Sequence, residues 1–240
     1  MNTKSDGVSD TPSEGAVRKT TQEVICGDSL EVLRGFSSGS FDLILCDPPY
    51  GMSYQSAWRT ATPQFAKIES DDDISWFPDF AREIYRVLKD DRHAYIFCND
   101  YSISDFRKEL EKAGFVNKRT LVWVKNNHTS GDLEGDYGNK TEFILFAHKG
   151  RRVLNGRRET NVLNFARVSD LLHPTQKPVD INAFLIEKST NEGESVLDPY
   201  CGSGSTLIAA KNLKRNSLGI EISPEYCEIA RQRLHQSTLL

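Results

Sequence analysis

Asp47-Pro48-Pro49-Tyr50 joins two kinds of group that suit a flat base carrying an exocyclic amine. An NH₂ group needs acceptors, and a carboxylate and a backbone carbonyl are acceptors only. A planar base needs a flat partner, and the Tyr50 ring is one. Neither Pro48 nor Pro49 can donate a ladder hydrogen bond, and each holds the residue before it extended. The tetrapeptide is therefore a stiff turn behind the apolar run Leu43, Ile44 and Leu45. The same residues fit a plain strand terminator with a solvated aspartate, and alone the two readings weigh about equally.

A second constellation, SVLDPYCGSGST, begins at Ser195. A short strand runs into Asp198, a Gly202-Ser203-Gly204 turn follows, and a helix begins. Glycines there let the chain turn tightly and let a ligand approach the backbone. Gly219-Ile220-Glu221 then puts an acidic residue at the next strand end, where dinucleotide folds bind ribose hydroxyls. The alternative is a tight strand–helix–strand connection with an exposed Glu221. Asp198 argues against a pyrophosphate, which it would repel, and for a cationic ligand. S-adenosylmethionine, with its ammonium, sulfonium and ribose, meets that requirement better than a dinucleotide. The stretch HPTQKP, starting at His173, precedes a further helix. Lys177 and the free amides of that helix start suit an anion such as a methionine carboxylate, or equally an ordinary helix start with a solvated lysine.

These groups need elements to hold them. Apolar patterning predicts strands at 24–26, 43–47, 94–98, 120–124, 143–147, 195–197 and 217–220. Helices are predicted from Leu30 and Leu33, from Trp76 through Leu88, and at 102–113, 178–188, 206–213 and 224–235. Gly114 reads as a C-cap, and Ser223 with Pro224 as a helix start. Ile181, Phe184, Leu185 and Lys188 fall on one side of their helix. No helix-like pattern separates the strands at 120–124 and 143–147, so that pair is expected to be antiparallel. Residues 51–73 read as a loop over the site, and 149–172 are only weakly periodic. Strands alternating with helices make an α/β protein with a mostly parallel sheet, whose ligands sit beyond the carboxyl ends of the strands.

The 240 residues, 38% hydrophobic and 27% charged, fit one soluble domain behind a polar tail at 1–22. No apolar run is long enough to cross a bilayer, and the N-terminus has no signal-like apolar region, so the expected location is cytoplasmic. Five cysteines without a CxxC pair, and scattered histidines, suggest neither a disulfide framework nor a metal site. The net charge of −4 does not advertise a nucleic-acid binder. Locally, Lys149, Arg151, Arg152, Arg157 and Arg158 form a basic stretch that suits phosphates, or simply a solvated loop.

Taken together, Asp47-Pro48-Pro49-Tyr50, Asp198-Pro199-Tyr200-Cys201-Gly202-Ser203-Gly204, Gly27-Asp28, Trp123-Val124-Lys125, HPTQKP and Gly219-Ile220-Glu221 resemble the motifs of amino-group DNA methyltransferases. The catalytic motif precedes the cofactor motif, as in the β group of that family, whose members include restriction–modification and orphan or phage enzymes. The resemblance covers roughly 23–236. It implies a Rossmann-like S-adenosylmethionine-dependent methyltransferase sheet, mostly parallel with one antiparallel strand and helices on both faces. The catalytic half would span 23–148, a short target-recognition region about 126–172, and the cofactor half 173–236.

By position, Asp47, Pro48, Pro49 and Tyr50 would be catalytic. Asp198, Tyr200, Gly202, Ser203 and Gly204 would line the methionine and ribose, Glu221 would bind the ribose hydroxyls, Asp28 would lie near the cofactor adenine, and Lys177 would hold the carboxylate. Tyr200 stands where the family most often has Phe. Asp at the first catalytic position goes with adenine N6, and Ser with cytosine N4. The resemblance thus implies N6-adenine methylation of double-stranded DNA, and it leaves open a homodimer and a partner restriction endonuclease. N4-cytosine, an RNA amino group and an inactive DNA- or partner-binding subunit are the alternatives.

Overall fold

All six residues of strand β2 (Phe41–Cys46) are buried, because the strand lies inside an eight-stranded sheet with helices on both faces. This is a computed structural model, and it describes residues 20–49, 74–128, 134–135, 137–168 and 176–236. Tyr50, most of the N-terminal tail, the predicted loop at 51–73 and His173 lie outside the described residues. In chain order the elements are β1 (Gln22–Cys26), α1 (Ser29–Arg34), β2, α2 (Phe77–Val87), β3 (Leu88–Cys98), α3 (Ile103–Ala113), β4 (Val116–Val124) and β5 (Thr141–Lys149). They continue with β6 (Val162–Asn164), α4 (Val179–Ser189), β7 (Ser195–Asp198), α5 (Ser205–Asn212), β8 (Asn216–Glu221) and α6 (Pro224–His235).

The sheet order is β1-β8-β7-β2-β3-β5-β4-β6. Only β5 runs against its neighbours, β3 and β4; every other pair is parallel. The expected α/β class with one antiparallel strand is what forms. Strand β2 shows why both faces need helices. Leu43 and Leu45 point into a cluster with α4 and α5, while Ile44 and Cys46 point into one with α1, α2 and α3. Such a strand reads as a continuous apolar run, as it does here. On the α1–α3 side, Phe77 of α2 stacks on Phe106 of α3 with centroids 3.8 Å apart. Gly114 ends α3 with φ 110°, a conformation that favours glycine. Ser223 caps α6 as expected, accepting the Tyr226 amide.

Three expectations change. Leu88 opens β3 instead of closing α2; the helix hands over to the strand with no intervening loop. The next residues of β3, Lys89–Arg92, are polar because they lie near the amino end of the sheet, so only 94–98 carries a strand-like signal. β6 goes unpredicted, since three residues are too few to show a period. The buried side of α4 is Ile181, Asn182, Leu185, Ile186 and Ser189, not the stripe through Phe184 and Lys188.

Opposite each other on β3 and β5 sit His93 and His148, both buried, with ring centroids 4.4 Å apart. His93 Nδ1 meets Ser189 Oγ at 2.8 Å, while both ring nitrogens of His148 are buried without a hydrogen-bond partner among the described residues. Burial pushes both imidazoles down to about 4, so they stay neutral in the folded protein. The unfolded chain protonates near the ordinary value, so stability is lost as pH falls from about 6.5 toward 4. In urea unfolding each imidazole is expected to contribute about 2 kcal/mol less stability at pH 5 than at pH 7. His148→Phe should flatten that dependence; an unaltered slope would remove the pair as its cause.

Candidate active site

Parallel strands put their carboxyl ends on one edge, and the chemistry-bearing residues gather there. Gly27 and Asp28 follow β1, Asp47 follows β2, Lys125 follows β4, Asp198 ends β7 and Glu221 ends β8. Because β5 is antiparallel, its first residues, Thr141 and Glu142, share this edge.

On the β7–β8 side the chain builds a small carboxylate-lined turn. Gly202 and Gly204 have φ of 49° and 84°, in the left-handed region. A Cβ on Gly204 would come 3.1 Å from Ala230 of α6, and one on Gly219 would come 2.6 Å from Cys201 Sγ. These glycines let the turn, β8 and α6 close on one another. Glu221 accepts the amides of Gly202 at 3.0 Å and Ser223 at 2.9 Å, which fixes its carboxylate beside the turn. Asp198, 5% exposed, accepts the Tyr200 amide at 3.1 Å and a hydrogen bond from the Thr206 side chain. Burial raises its carboxyl to about 7, and the charges of Asp47 and Glu221 push the same way. Burial also raises Glu221. Three carboxylates converging on one edge call for a positive ligand, and Glu221 retains lone pairs for hydroxyl groups.

On the β2–β5 side lies a row of alternating charge. Lys177 Nζ donates to Asp47 Oδ2 at 2.5 Å and lies 3.1 Å from Glu142 Oε2, and Lys125 Nζ pairs with Glu142 Oε1 at 2.7 Å. Side-chain exposures of 8% for Lys177, 6% for Lys125 and 20% for Glu142 make this a shielded row. Lys177 also sits over the Phe97 ring, 5.2 Å from its centroid. Burial works against the Lys177 charge, but Asp47 and Glu142 outweigh it and hold its ammonium above the ordinary range. The same two lysines hold Glu142 below the usual carboxylate range despite its burial.

The sequence-predicted residues separate into groups. Asp47, Pro48, Pro49, Asp198, the Gly202–Ser203–Gly204 turn, Glu221 and Lys177 do meet on this edge. Lys177, expected to face a ligand carboxylate, has its charge on Asp47 and Glu142. Tyr200 contributes its backbone, whereas its ring packs on Trp76 and Phe80 and its hydroxyl interacts with Ser29. Ser203 is buried and ties the turn to α6 through Arg233. Asp28 caps α1, accepting the Glu31 amide at 2.9 Å. Sequence patterning does not point to Glu142, and Lys125 enters it only as the end of the Trp123-Val124-Lys125 motif, with no role assigned.

The basic stretch lies away from this edge. Lys149 pairs across the sheet with Arg92, toward the amino ends of the parallel strands. With Cys46 beside Ile96, Asp47 lies about five strand residues away, roughly 16 Å. Lys149 donates to the Tyr85 and Leu88 carbonyls. Arg152 forms a two-pronged pair with Glu194, which Arg92 joins while also holding Asp42. These cations brace the far end of the sheet. The Arg151 amide bonds Asp91 there. Arg157, with exposed Arg158 beside it, packs by its carbonyl against Lys188 in the last turn of α4. Arg157→Ala/Arg158→Ala is therefore expected to leave the salt slope of DNA binding unchanged; a slope reduced by about two would restore the patch.

No helix among the described residues is long and apolar enough to cross a membrane. Among them no group of three or more His, Cys, Asp or Glu residues is placed to hold a metal ion.

Comparison with known proteins agrees with this geometry. The family profile described as DNA methylase, whose name joins N6 and N4 methyltransferases, matches residues 41–232. The protein YubD of Escherichia coli (strain K12) is 34% identical over 210 residues, covering 88% of each chain. The DNA adenine methyltransferase YhdJ of the same organism is 28% identical over 88% of this chain and 82% of its own length. The crystal structure of the M1.HpyAVI–SAM complex superposes with a TM-score of 0.68 at 29% identity, over 89% of this chain and 100% of that one. This chain belongs to the N6/N4 DNA methylase family.

Proposed function

We propose that the protein moves the methyl group of S-adenosylmethionine to the exocyclic N6 of an adenine flipped out of double-stranded DNA. The observation that carries this reading is the placement of Asp47. It ends an all-buried strand, 18% exposed, beside a carboxylate-lined turn that suits a cation. The similar M1.HpyAVI chain was solved as a complex with SAM, and YhdJ is named an adenine enzyme.

An exocyclic amine is a weak nucleophile, because its lone pair is delocalised into the ring. In a duplex it is also out of reach, so the base must leave the stack. Asp47 and the Pro48 carbonyl accept its two N–H bonds, which favours a pyramidal nitrogen and aims the lone pair. Tyr50 is the stacking surface in this reading. Asp198 and the Gly202–Ser203–Gly204 turn hold the cationic end of the cofactor, and Glu221 its ribose hydroxyls. When bound, S-adenosylmethionine supplies an electrophilic methyl on a positively charged sulfur. Positioning is then the main catalytic contribution. The N–C bond would form as the S–C bond breaks and leaves a neutral thioether; the amine becomes acidic only then, and in this reading the Asp47 carboxylate receives its proton. The duplex meets the carboxyl edge, where Tyr101 is 74% and Tyr137 is 96% exposed and Lys140 is also exposed.

Nucleoside mass spectrometry of unmethylated DNA, incubated with the pure protein and S-adenosylmethionine, tests this. N6-methyladenine is the expected product. N4-methylcytosine, the other chemistry named by the family profile, would keep the mechanism and overturn the base.

A further inference from the structure

The row Asp47, Lys177, Glu142, Lys125 crosses four strand ends and contains two cations and two carboxylates. A buried charge is costly unless paired, so each member depends on its neighbour. Lys177 is the only cation of the row that touches Asp47 among the described residues, and its donated hydrogen bond fixes one carboxylate oxygen. Glu142 in turn fixes the ammonium from the other side, and Lys125 balances Glu142.

We propose that Lys177, steadied by Glu142, is a positioning residue. It holds Asp47 ionised and in one orientation toward the target amine, and does not serve as the anchor of the cofactor carboxylate. This rests on the amino-methylation reading above, because it takes Asp47 as the group that meets the amine. An ionised Asp47 offers the NH₂ acceptors only, whereas a protonated Asp47 would turn one of its oxygens into a donor facing a donor. The other titratable groups facing Asp47 from neighbouring elements work against ionisation. Asp198 at the end of β7 is a second carboxylate within electrostatic reach, and the thiols Cys46 of β2 and Cys98 of β3 supply no positive charge. Glu142 of β5 is negative as well, and among the described residues it is the Lys177 ammonium, 2.5 Å from Asp47 Oδ2, that opposes protonation.

Lys177→Met alone leaves two buried carboxylates against one lysine and risks misfolding. Lys177→Met/Glu142→Gln removes one charge of each sign and keeps the row neutral. Two measurements on these proteins, neither needing a methyl acceptor, test the idea. The first is the titration of the Asp47 carboxyl carbon by NMR, assigned by its loss in Asp47→Asn. Its midpoint should move up by about one pH unit or more in the double variant. The second is S-adenosylmethionine affinity by calorimetry, which should stay within about threefold. An unmoved titration overturns the proposal. So does a loss of affinity of about tenfold or more, the effect expected if Lys177 held the cofactor carboxylate. The product analysis on DNA tests the methylation reading separately, so either can fail alone.

Discussion

Asp47→Asn is expected to slow methyl transfer by about 10²–10³-fold while leaving S-adenosylmethionine affinity within about threefold. The substitution keeps the side chain's shape. Its amide oxygen can still accept from Lys177, so the row through Glu142 and Lys125 should survive. What changes is the face toward the base. One acceptor becomes an NH₂ donor and meets the amine's own donors, which removes a preorganised acceptor at the point where charge develops. Such a loss costs roughly 3–4 kcal/mol in other preorganised sites. Single-turnover transfer at saturating cofactor is the measurement, with cofactor affinity determined on the same preparation. More than a tenth of the wild-type rate would remove Asp47 from the chemistry. Weakened cofactor binding with an unchanged single-turnover rate would move Asp47 into the cofactor site.

The two motifs were legible because each is local. Asp47 follows an apolar run and is followed by two prolines, so its place at a strand end can be read from neighbouring residues alone. Asp198 with its glycine turn is equally self-contained, and Glu221 follows one helix and one strand later. Glu142 was hidden by direction. The rule that ligands gather at carboxyl ends of strands overlooks the first residues of an antiparallel strand, and β5 brings Glu142 to the site by its amino end. Lys149 and Arg152 mark a different limit. Charge density along a chain says nothing about distant partners, and Glu194, which neutralises Arg152, is 42 residues away. Lys177 lay between these cases. Its position beside the site was readable, but its partners, Asp47 and Glu142, come from β2 and β5 and are set only by the sheet order.

That order also places Asp198 under strain, which predicts a trade between stability and binding. With the carboxyl held up to about 7 by burial, and by Asp47 and Glu221, the ligand-free protein carries Asp198 about half protonated at neutral pH. A cationic ligand binds the ionised form, so binding releases a proton at lower pH. Affinity for S-adenosylmethionine should therefore fall toward tenfold per unit below about pH 6, and calorimetry in buffers of different ionisation enthalpy should detect the released proton. The sign for stability is the reverse. The unfolded chain ionises Asp198 near the ordinary value of 3.8, whereas the folded protein resists ionisation. Stability from this group is thus full below about pH 4 and is lost as pH rises to about 7, a cost of roughly 4 kcal/mol. Asp198→Asn removes that cost, and its amide oxygen can still accept from the Tyr200 amide. At pH 7.5, above the window in which His93 and His148 titrate, the ligand-free variant should melt several degrees higher than wild type while binding the cofactor at least tenfold more weakly. A lower melting temperature with unchanged affinity would mean that Asp198 holds the turn together and is not the seat of the ligand's charge.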